Sequence, residues 1–257
     1  DPSLTAVCAR ALSALKPELV LPLCRELLGD ESKPALRLST ALVMAELEDS
    51  GVAGLLRERL HVESDPGVAC ALAEALGQGG WSEAWPELRQ RALGEELVGY
   101  AAVAALGELL DESNFADFAA LLTELQHETL REAVLKRLTL YGRGRGLPAE
   151  LTGPLLAIMR GNYRNNRVLA AEAAGFTGSA ELAGELLELL RDCSDEALVQ
   201  ALLQAILRLA GNDLASLAER VDEAHLRQLA RVLDRIGGLG ESGPVFCRLL
   251  ARRGATG

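Results

Sequence analysis

Asp65-Pro66-Gly67-Val68-Ala69-Cys70-Ala71-Leu72-Ala73-Glu74-Ala75-Leu76-Gly77 reads as one helix with a marked start and a marked stop. Pro66 suits the first helical turn, where its missing N–H is not needed. Val68, Leu72, Ala73 and Leu76 then return on one helical face. Gly77 stands where a left-handed residue commonly closes a helix C-terminus. Working outward, Asp1-Pro2, Lys33-Pro34 and Asp65-Pro66 fall at a spacing of 32. After Pro2 come Leu4, Cys8, Ala9 and Leu12, and after Pro34 come Leu36, Thr40, Ala41 and Met44. The chain therefore repeats, and repetition is read before any search for a site.

The pattern continues with looser spacing. Val98–Leu106, Leu130–Leu138, Arg167–Ala174, Leu198–Ile206 and Leu226–Ile236 each read as a further first helix. Gly77, Gly107, Gly142, Gly175, Gly211 and Gly237 follow most of them and are expected to be left-handed caps. A second amphipathic segment follows each turn: Glu18–Leu28, Val52–Leu60, Trp85–Leu93, Phe115–Leu125, Pro154–Arg160, Glu181–Arg191, Asp213–Val221 and Pro244–Arg252. About eight helical hairpins then fill one domain, 1–257, with approximate repeats at 1–32, 33–64, 65–95, 96–127, 128–163, 164–194, 195–224 and 225–257. A single hairpin cannot bury its own apolar face, so neighbours are expected to stack into one continuous core.

The Asp65–Gly77 segment resembles the first helix of a HEAT repeat, and so does Leu97–Gly107 with its Ala-Ala-Val-Ala-Ala-Leu-Gly run. The resemblance covers all the units, strongly in the first four and weakly in the last. It implies an all-α fold, a right-handed α-solenoid of HEAT-like hairpins whose second helices line the concave face. It implies no single chemistry, because one fold hosts many functions.

Bulk composition narrows the function classes. Hydrophobic residues make up 49% and charged residues 25%, values of a chain that buries a core. Aromatics are only 4%, and Ala and Leu take their place, which favours helix over strand. A formal net charge of −11 argues against a nucleic-acid binder held by phosphate neutralisation. No apolar run approaches the length of a membrane span. The first residues lack the basic-then-apolar pattern of a signal peptide. The chain opens on Asp1 at a repeat boundary, which is the expectation for one module of a longer protein. Cys8, Cys24, Cys70, Cys193 and Cys247 are odd in number and form no C-x-x-C pair, so a reducing, cytoplasmic setting is expected.

No catalytic constellation is legible. His61, His127 and His225 fall in three different repeats and make no H-x-x-x-H pair. His127-Glu128 is the single His-Glu pair, whereas HEAT-like hydroxylases use several to hold a di-iron centre. Gly142-Arg-Gly-Arg-Gly146 is glycine-rich but follows a helix rather than a strand, which removes the dinucleotide reading. No cofactor and no metal site is expected.

Three features have the chemistry of binding. Residues 1–128 carry a net charge of −13, residues 129–167 carry +6, and residues 168–257 carry −4. The basic stretch places Arg143 and Arg145 in a loop between helices, and Arg160, Arg164 and Arg167 at the next junction with Asn162, Tyr163, Asn165 and Asn166. Guanidinium groups bind carboxylate or phosphate bidentately. The patch is thus either a docking site for an acidic peptide or anionic partner, or a set of arginines answering nearby carboxylates. Second, Arg25, Arg57 and Arg89 sit at equivalent places in second helices, 32 residues apart. They form either a ladder for an extended acidic segment or pairs with carboxylates such as Glu26, Glu58 or Glu87. Third, Trp81 and Trp85 flank a turn, either as an exposed interface anchor or as a staple at the helix entry. The Arg227, Arg231 and Arg235 stripe reads as a solvated terminal cap.

The expected function is a non-enzymatic protein–protein interaction scaffold or adaptor. The alternative that the resemblance suggests is a phycobilin-lyase-like protein that binds or transfers a chromophore, which requires a groove able to enclose a tetrapyrrole. A HEAT-like DNA-repair glycosylase is disfavoured by the acidic charge.

Overall fold

In the computed structural model, residue 11 and residues 17–210 are described, apart from 48, 49, 180 and 192. The Asp1-Pro2 start, Cys8, Cys247, His225, Gly211, Gly237, the Asp213–Val221 and Pro244–Arg252 segments and the Arg227–Arg235 stripe lie outside the described residues. Among those described, all regular structure is helical and no strand occurs, so the described part of the chain is all-α.

Twelve α-helices are described: α1 (Pro17–Gly29), α2 (Pro34–Met44), α3 (Ser50–Val62), α4 (Pro66–Gln78), α5 (Trp85–Ala92), α6 (Glu96–Glu108), α7 (Phe115–Glu124), α8 (Glu128–Arg145), α9 (Thr152–Met159), α10 (Arg164–Ala174), α11 (Leu182–Arg191) and α12 (Glu196–Ala210). The chain divides into two compact units, residues 1–137 and 138–257, and the division falls within α8. No helix among the described residues is long and apolar enough to cross a membrane.

In the first unit α2 packs on α4 and α4 on α6, while α1, α3 and α5 meet in a second row. Each second-row helix also packs on the helix that follows it in the chain. Residues at helical spacing supply the shared core. Val68, Leu72, Ala73 and Leu76 of α4 are buried, as are Ala102, Val103 and Leu106 of α6 and Ala41 and Met44 of α2, the two helices on which α4 packs. In the second unit α10 packs on α12, α9 on α10 and α11 on α12.

Proline opens α2 and α4 as the spacing requires, and α4 is further held by Asp65. Its Oδ1 accepts from the Val68 N–H at 2.9 Å, which satisfies one of the donors that a helix start leaves over. Asp65→Ala is expected to cost about 1 kcal/mol, read as a lower urea midpoint at unchanged slope.

The glycines differ from the sequence expectation. Gly77 and Gly107 lie inside α4 and α6, Gly142 lies inside α8, and Gly175 is right-handed at φ −63°. The left-handed glycines among the described residues are Gly80, Gly146 and Gly178, each a few residues later. The earlier glycines serve close approach instead. A Cβ on Gly77 would stand 2.7 Å from the Ala105 Cα, and one on Gly175 would stand 2.9 Å from the Ala205 Cα. One glycine therefore lets α4 meet α6 backbone to backbone, and the other does the same for α10 and α12.

Helix α8 is also longer than its periodicity suggests. It runs through Gly142 and Gly144 to Arg145, and the chain turns only at Gly146, with φ +77°. The physical reason is the packing of Gly142, where a Cβ would stand 2.9 Å from both Leu147 and Phe176. The Leu147 N–H donates to the Phe176 carbonyl at 2.7 Å and pins the turn. Tyr141–Arg145 is thus helical, where the sequence suggested a loose loop.

Candidate docking surfaces

The basic stretch resolves into separate pieces. Arg143 and Arg145 belong to the last turn of α8, not to a loop between helices as their spacing suggested. There the side chains sit at a helix C-terminus, where positive charge is favoured. Arg145 lies over the Tyr141 ring, 5.2 Å from its centre, and Arg143 is exposed. The other cluster surrounds the start of α10. Arg160 pairs with Glu185 at 2.7 Å, and Arg164 grips Asp195 through two bonds of 2.5 and 3.1 Å. Asp195 also accepts from the Ala197 and Leu198 N–H groups at the head of α12. Arg164 is the first cause of its low pKa, about 2, with those N–H bonds adding to it against some desolvation.

Arg167 is turned inward. Its Nε donates to the Met159 carbonyl at 2.8 Å, closing the end of α9. The same device recurs at the fourth residue of two other helices. Arg37 of α2 donates to the Asp30 carbonyl at 2.8 Å, and Arg131 of α8 donates to the Leu122 and Leu125 carbonyls at 2.9 and 2.7 Å. Arg167 and Arg131 satisfy carbonyls at helix ends, and Arg37 adds a second donor to the Asp30 carbonyl, which also accepts from the Lys33 N–H at 3.2 Å. Tyr163 and Asn162 are exposed, and Asn166 is buried.

The two basic clusters do not converge. The Leu147–Phe176 bond sets the C-terminal end of α8 against the C-terminal end of α10, whereas Arg164 and Arg167 occupy the first turn of α10. Eleven residues of helix separate these ends, or about 16 Å at 1.5 Å per residue.

The arginine ladder is largely answered within the first unit. Arg57 of α3 pairs with Glu87 of α5 at 2.7 Å. Arg89 of α5 pairs with Asp117 and with Glu124 of α7, each at 2.8 Å. Each pair bridges one second-row helix to the next. Arg25 on α1 is exposed. Trp85 belongs to the same row. Its Nε1 donates to the Asp117 Oδ2 at 2.6 Å, and its ring meets Phe118 at 6.3 Å between centres. Trp81 covers the backbone of Gly79, where a Cβ would stand 2.2 Å from the indole. Both indoles are half-buried packing elements of the α4–α5 turn.

Sequence reasoning missed a buried charge network. Arg37 is 3% exposed and Glu63 is fully buried, joined by two bonds of 3.0 Å. Arg59 adds a second cation at 2.7 Å and carries the chain of charge outward to Glu31. Glu63 Oε1 also accepts from the Ser64 and Asp65 N–H groups. Burial alone would raise the Glu63 pKa. The Arg37 bonds, the Asp65 N–H and Arg59 outweigh it and hold the group at about 2. Only the wide separation of Arg37 and Glu63 hid the pair.

Beside this network a cleft of about 440 Å3 opens at the C-terminal ends of α3 and α5. Arg91 forms part of its wall and donates to the carbonyls of Leu60, His61 and Glu63, which closes the end of α3. Glu87 enters the same wall, with its carboxyl held below the ordinary range because Arg57 and local N–H and charge effects outweigh the burial that opposes them.

No protein-family model matches this chain, and no curated protein does. Among the described residues, no group of His, Cys, Asp and Glu side chains is arranged to hold a metal ion. The described thiols, Cys24, Cys70 and Cys193, are all free. Burial raises the pKa of Cys24, and burial with Glu74 raises that of Cys70, so neither is poised as a thiolate. Apolar surface is the remaining feature. On α6, Leu97 and Tyr100 are 64% and 53% exposed and stand one turn apart. Leu93 and Val62 of the same unit are also exposed.

Proposed function

We propose that this chain is a non-enzymatic protein–protein interaction scaffold, in which the hairpins of each unit stack in the manner of a HEAT-like, right-handed α-solenoid. The stacking reading is supported by the packing of α2 on α4 and α4 on α6, and of α10 on α12. The observation that carries the function is the exposed face of α6. Leu97 and Tyr100 place large apolar side chains in solvent on a helix whose opposite side is fully packed. Neighbouring apolar surface of this kind marks interaction sites, and tyrosine is a frequent binding anchor. The arginines are weaker candidates, because Arg57, Arg89, Arg160, Arg164 and Arg167 already have partners within the chain. The cytoplasm is the proposed setting, on the odd cysteine count and the lack of any C-x-x-C pair.

The test is photo-crosslinking in the native cell with a benzophenone side chain at position 100, and separately at position 143. A discrete protein adduct is expected at position 100. The adduct protein, once purified, should bind the wild-type chain about tenfold more tightly than it binds a Leu97→Ser/Tyr100→Ser variant. Lack of an adduct at either position would remove the scaffold reading. An adduct at position 143 alone would move the docking surface to the end of α8.

A further inference from the structure

Helix α6 is apolar on every side, because no charged residue occurs from Leu97 to Gly107. Val98, Ala102, Val103, Ala105 and Leu106 fill the inner side and are buried. Leu97, Tyr100, Ala101 and Ala104 make the outer stripe, the first two exposed and the alanines half-buried. A helix that is apolar all round is ordinarily enclosed by protein. Its neighbours keep the ordinary pattern, with Glu74 and Gln78 exposed on α4 and Lys136 exposed on α8. Two contacts fix what borders the stripe. Cys70 Sγ donates to the Leu97 carbonyl at 3.6 Å, and Gly77 lies against Ala105. Helices α4 and α6 therefore run parallel, and Glu74 stands level with Ala101. Glu95 and Glu96 border the other end, at the head of α6.

We propose that the outer face of α6 receives an amphipathic helix of a partner protein, its apolar side on Leu97, Tyr100, Ala101 and Ala104 and lysine or arginine at its margins. The inference rests on the scaffold reading and names the form and charge of what docks there. Backbone chemistry favours a helix over an extended segment. Among the described residues no strand offers an edge, so an extended peptide would bury backbone groups without partners. A helix satisfies its own. The stripe spans about 10 Å from Leu97 to Ala104, two helical turns, which suits anchors at i, i+3, i+4 and i+7. Beyond the two large side chains the alanines leave room for a second helix at the usual spacing of about 8–10 Å. Charge then selects the partner. Among the described residues no lysine or arginine pairs with Glu74, Glu95 or Glu96, whereas Lys136 is already held by Glu132 at 2.7 Å. Residues 1–128 carry a net charge of −13 and attract a basic segment from a distance. The same charge opposes a second copy of this chain, whose acidic margins would face these across a two-fold axis.

The purified full chain is panned against a phage-displayed library of amphipathic peptides about five helical turns long, with lysine, arginine, glutamate, glutamine and serine varied at the polar positions. Enriched peptides are synthesised, and their binding and helix content are followed by fluorescence anisotropy and circular dichroism. They are expected to carry net positive charge and to gain helix on binding. Leu97→Ser/Tyr100→Ser should weaken binding about tenfold, and Ala104→Lys about as much. Glu74→Gln/Glu95→Gln should weaken it about threefold, and Arg143→Glu should leave it unchanged. Leu97, Tyr100, Glu74 and Glu95 are all exposed, so these variants keep the test decisive even if Ala104→Lys disturbs the fold. Enrichment of acidic peptides, or peptides that bind Leu97→Ser/Tyr100→Ser as tightly as the wild type, would overturn the proposal. Binding lost only in Arg143→Glu would overturn it while leaving a scaffold in place. A wild-type dimer in sedimentation that Tyr100→Ser dissociates would put a second copy where the partner helix was placed. A library with no binder would also overturn the proposal, and crosslinking at position 100 would then decide the scaffold separately.

Discussion

Gly77→Ala should destabilise the first unit by about 2 kcal/mol, although alanine is the better helix former. The added Cβ would stand 2.7 Å from the Ala105 Cα and 2.9 Å from its Cβ, and neither atom is the tip of a flexible side chain. Helices α4 and α6 must move apart, and the well-packed layer between Leu76 and Leu106 opens with them. Overpacking of this kind costs about 3 kcal/mol, and the gain in helix propensity returns about 1 kcal/mol. Gly54→Ala, in α3, meets nothing within 4 Å and should instead stabilise by about 0.5–1 kcal/mol. Urea unfolding followed by circular dichroism reads both. Shifts of the same sign would show that Gly77 is not a contact device. Gly175→Ala should behave like Gly77→Ala in the second unit, because its Cβ would meet Ala205 at 2.9 Å.

Glu63→Ala should cost about 3–5 kcal/mol, because it leaves the buried Arg37 without its counter-charge. The same residue makes the first unit acid-sensitive. The folded-state pKa of Glu63, about 2, lies below its ordinary value of 4.5, so folding favours the ionised form. Its contribution is therefore complete above pH 4.5 and is lost as pH falls through about 2. At full strength the shift corresponds to about 3 kcal/mol. A pH series of urea midpoints from neutral to strongly acid conditions should show this loss in the wild type and a shallower one in Glu63→Gln. Equal slopes in the two proteins would mean that other carboxylates govern acid unfolding. The outer pair, Arg59 with the exposed Glu31, should contribute little, since surface pairs are worth at most about 1 kcal/mol.

Much of the local architecture was legible from residue order. Glu18–Leu28, Val52–Leu60 and Trp85–Leu93 anticipate α1, α3 and α5 to within a few residues, because apolar spacing along a helix is a local property. The proline starts of α2 and α4 are equally local. Arg57–Glu87 was among the pairings that the sequence allowed, whereas the partners of Arg89, Asp117 and Glu124, come from another helix and were not anticipated. The end of α8 was misread, because a glycine at position 142 looks the same whether it caps a helix or admits Phe176. Arg167 likewise carries the same charge whether it faces a partner or the Met159 carbonyl.

Helix content, helix positions and the acidic first half follow from composition and short-range periodicity, which act between neighbours along the chain. The close approach at Gly77, the Arg37–Glu63 pair and the Arg89–Asp117 pair came only from the packed structure. Each joins residues roughly 26 to 28 positions apart, and no local rule sets which of many distant partners a side chain meets. That choice is made when helices pack, because the groups must then exchange water for whichever partner the packing brings within reach.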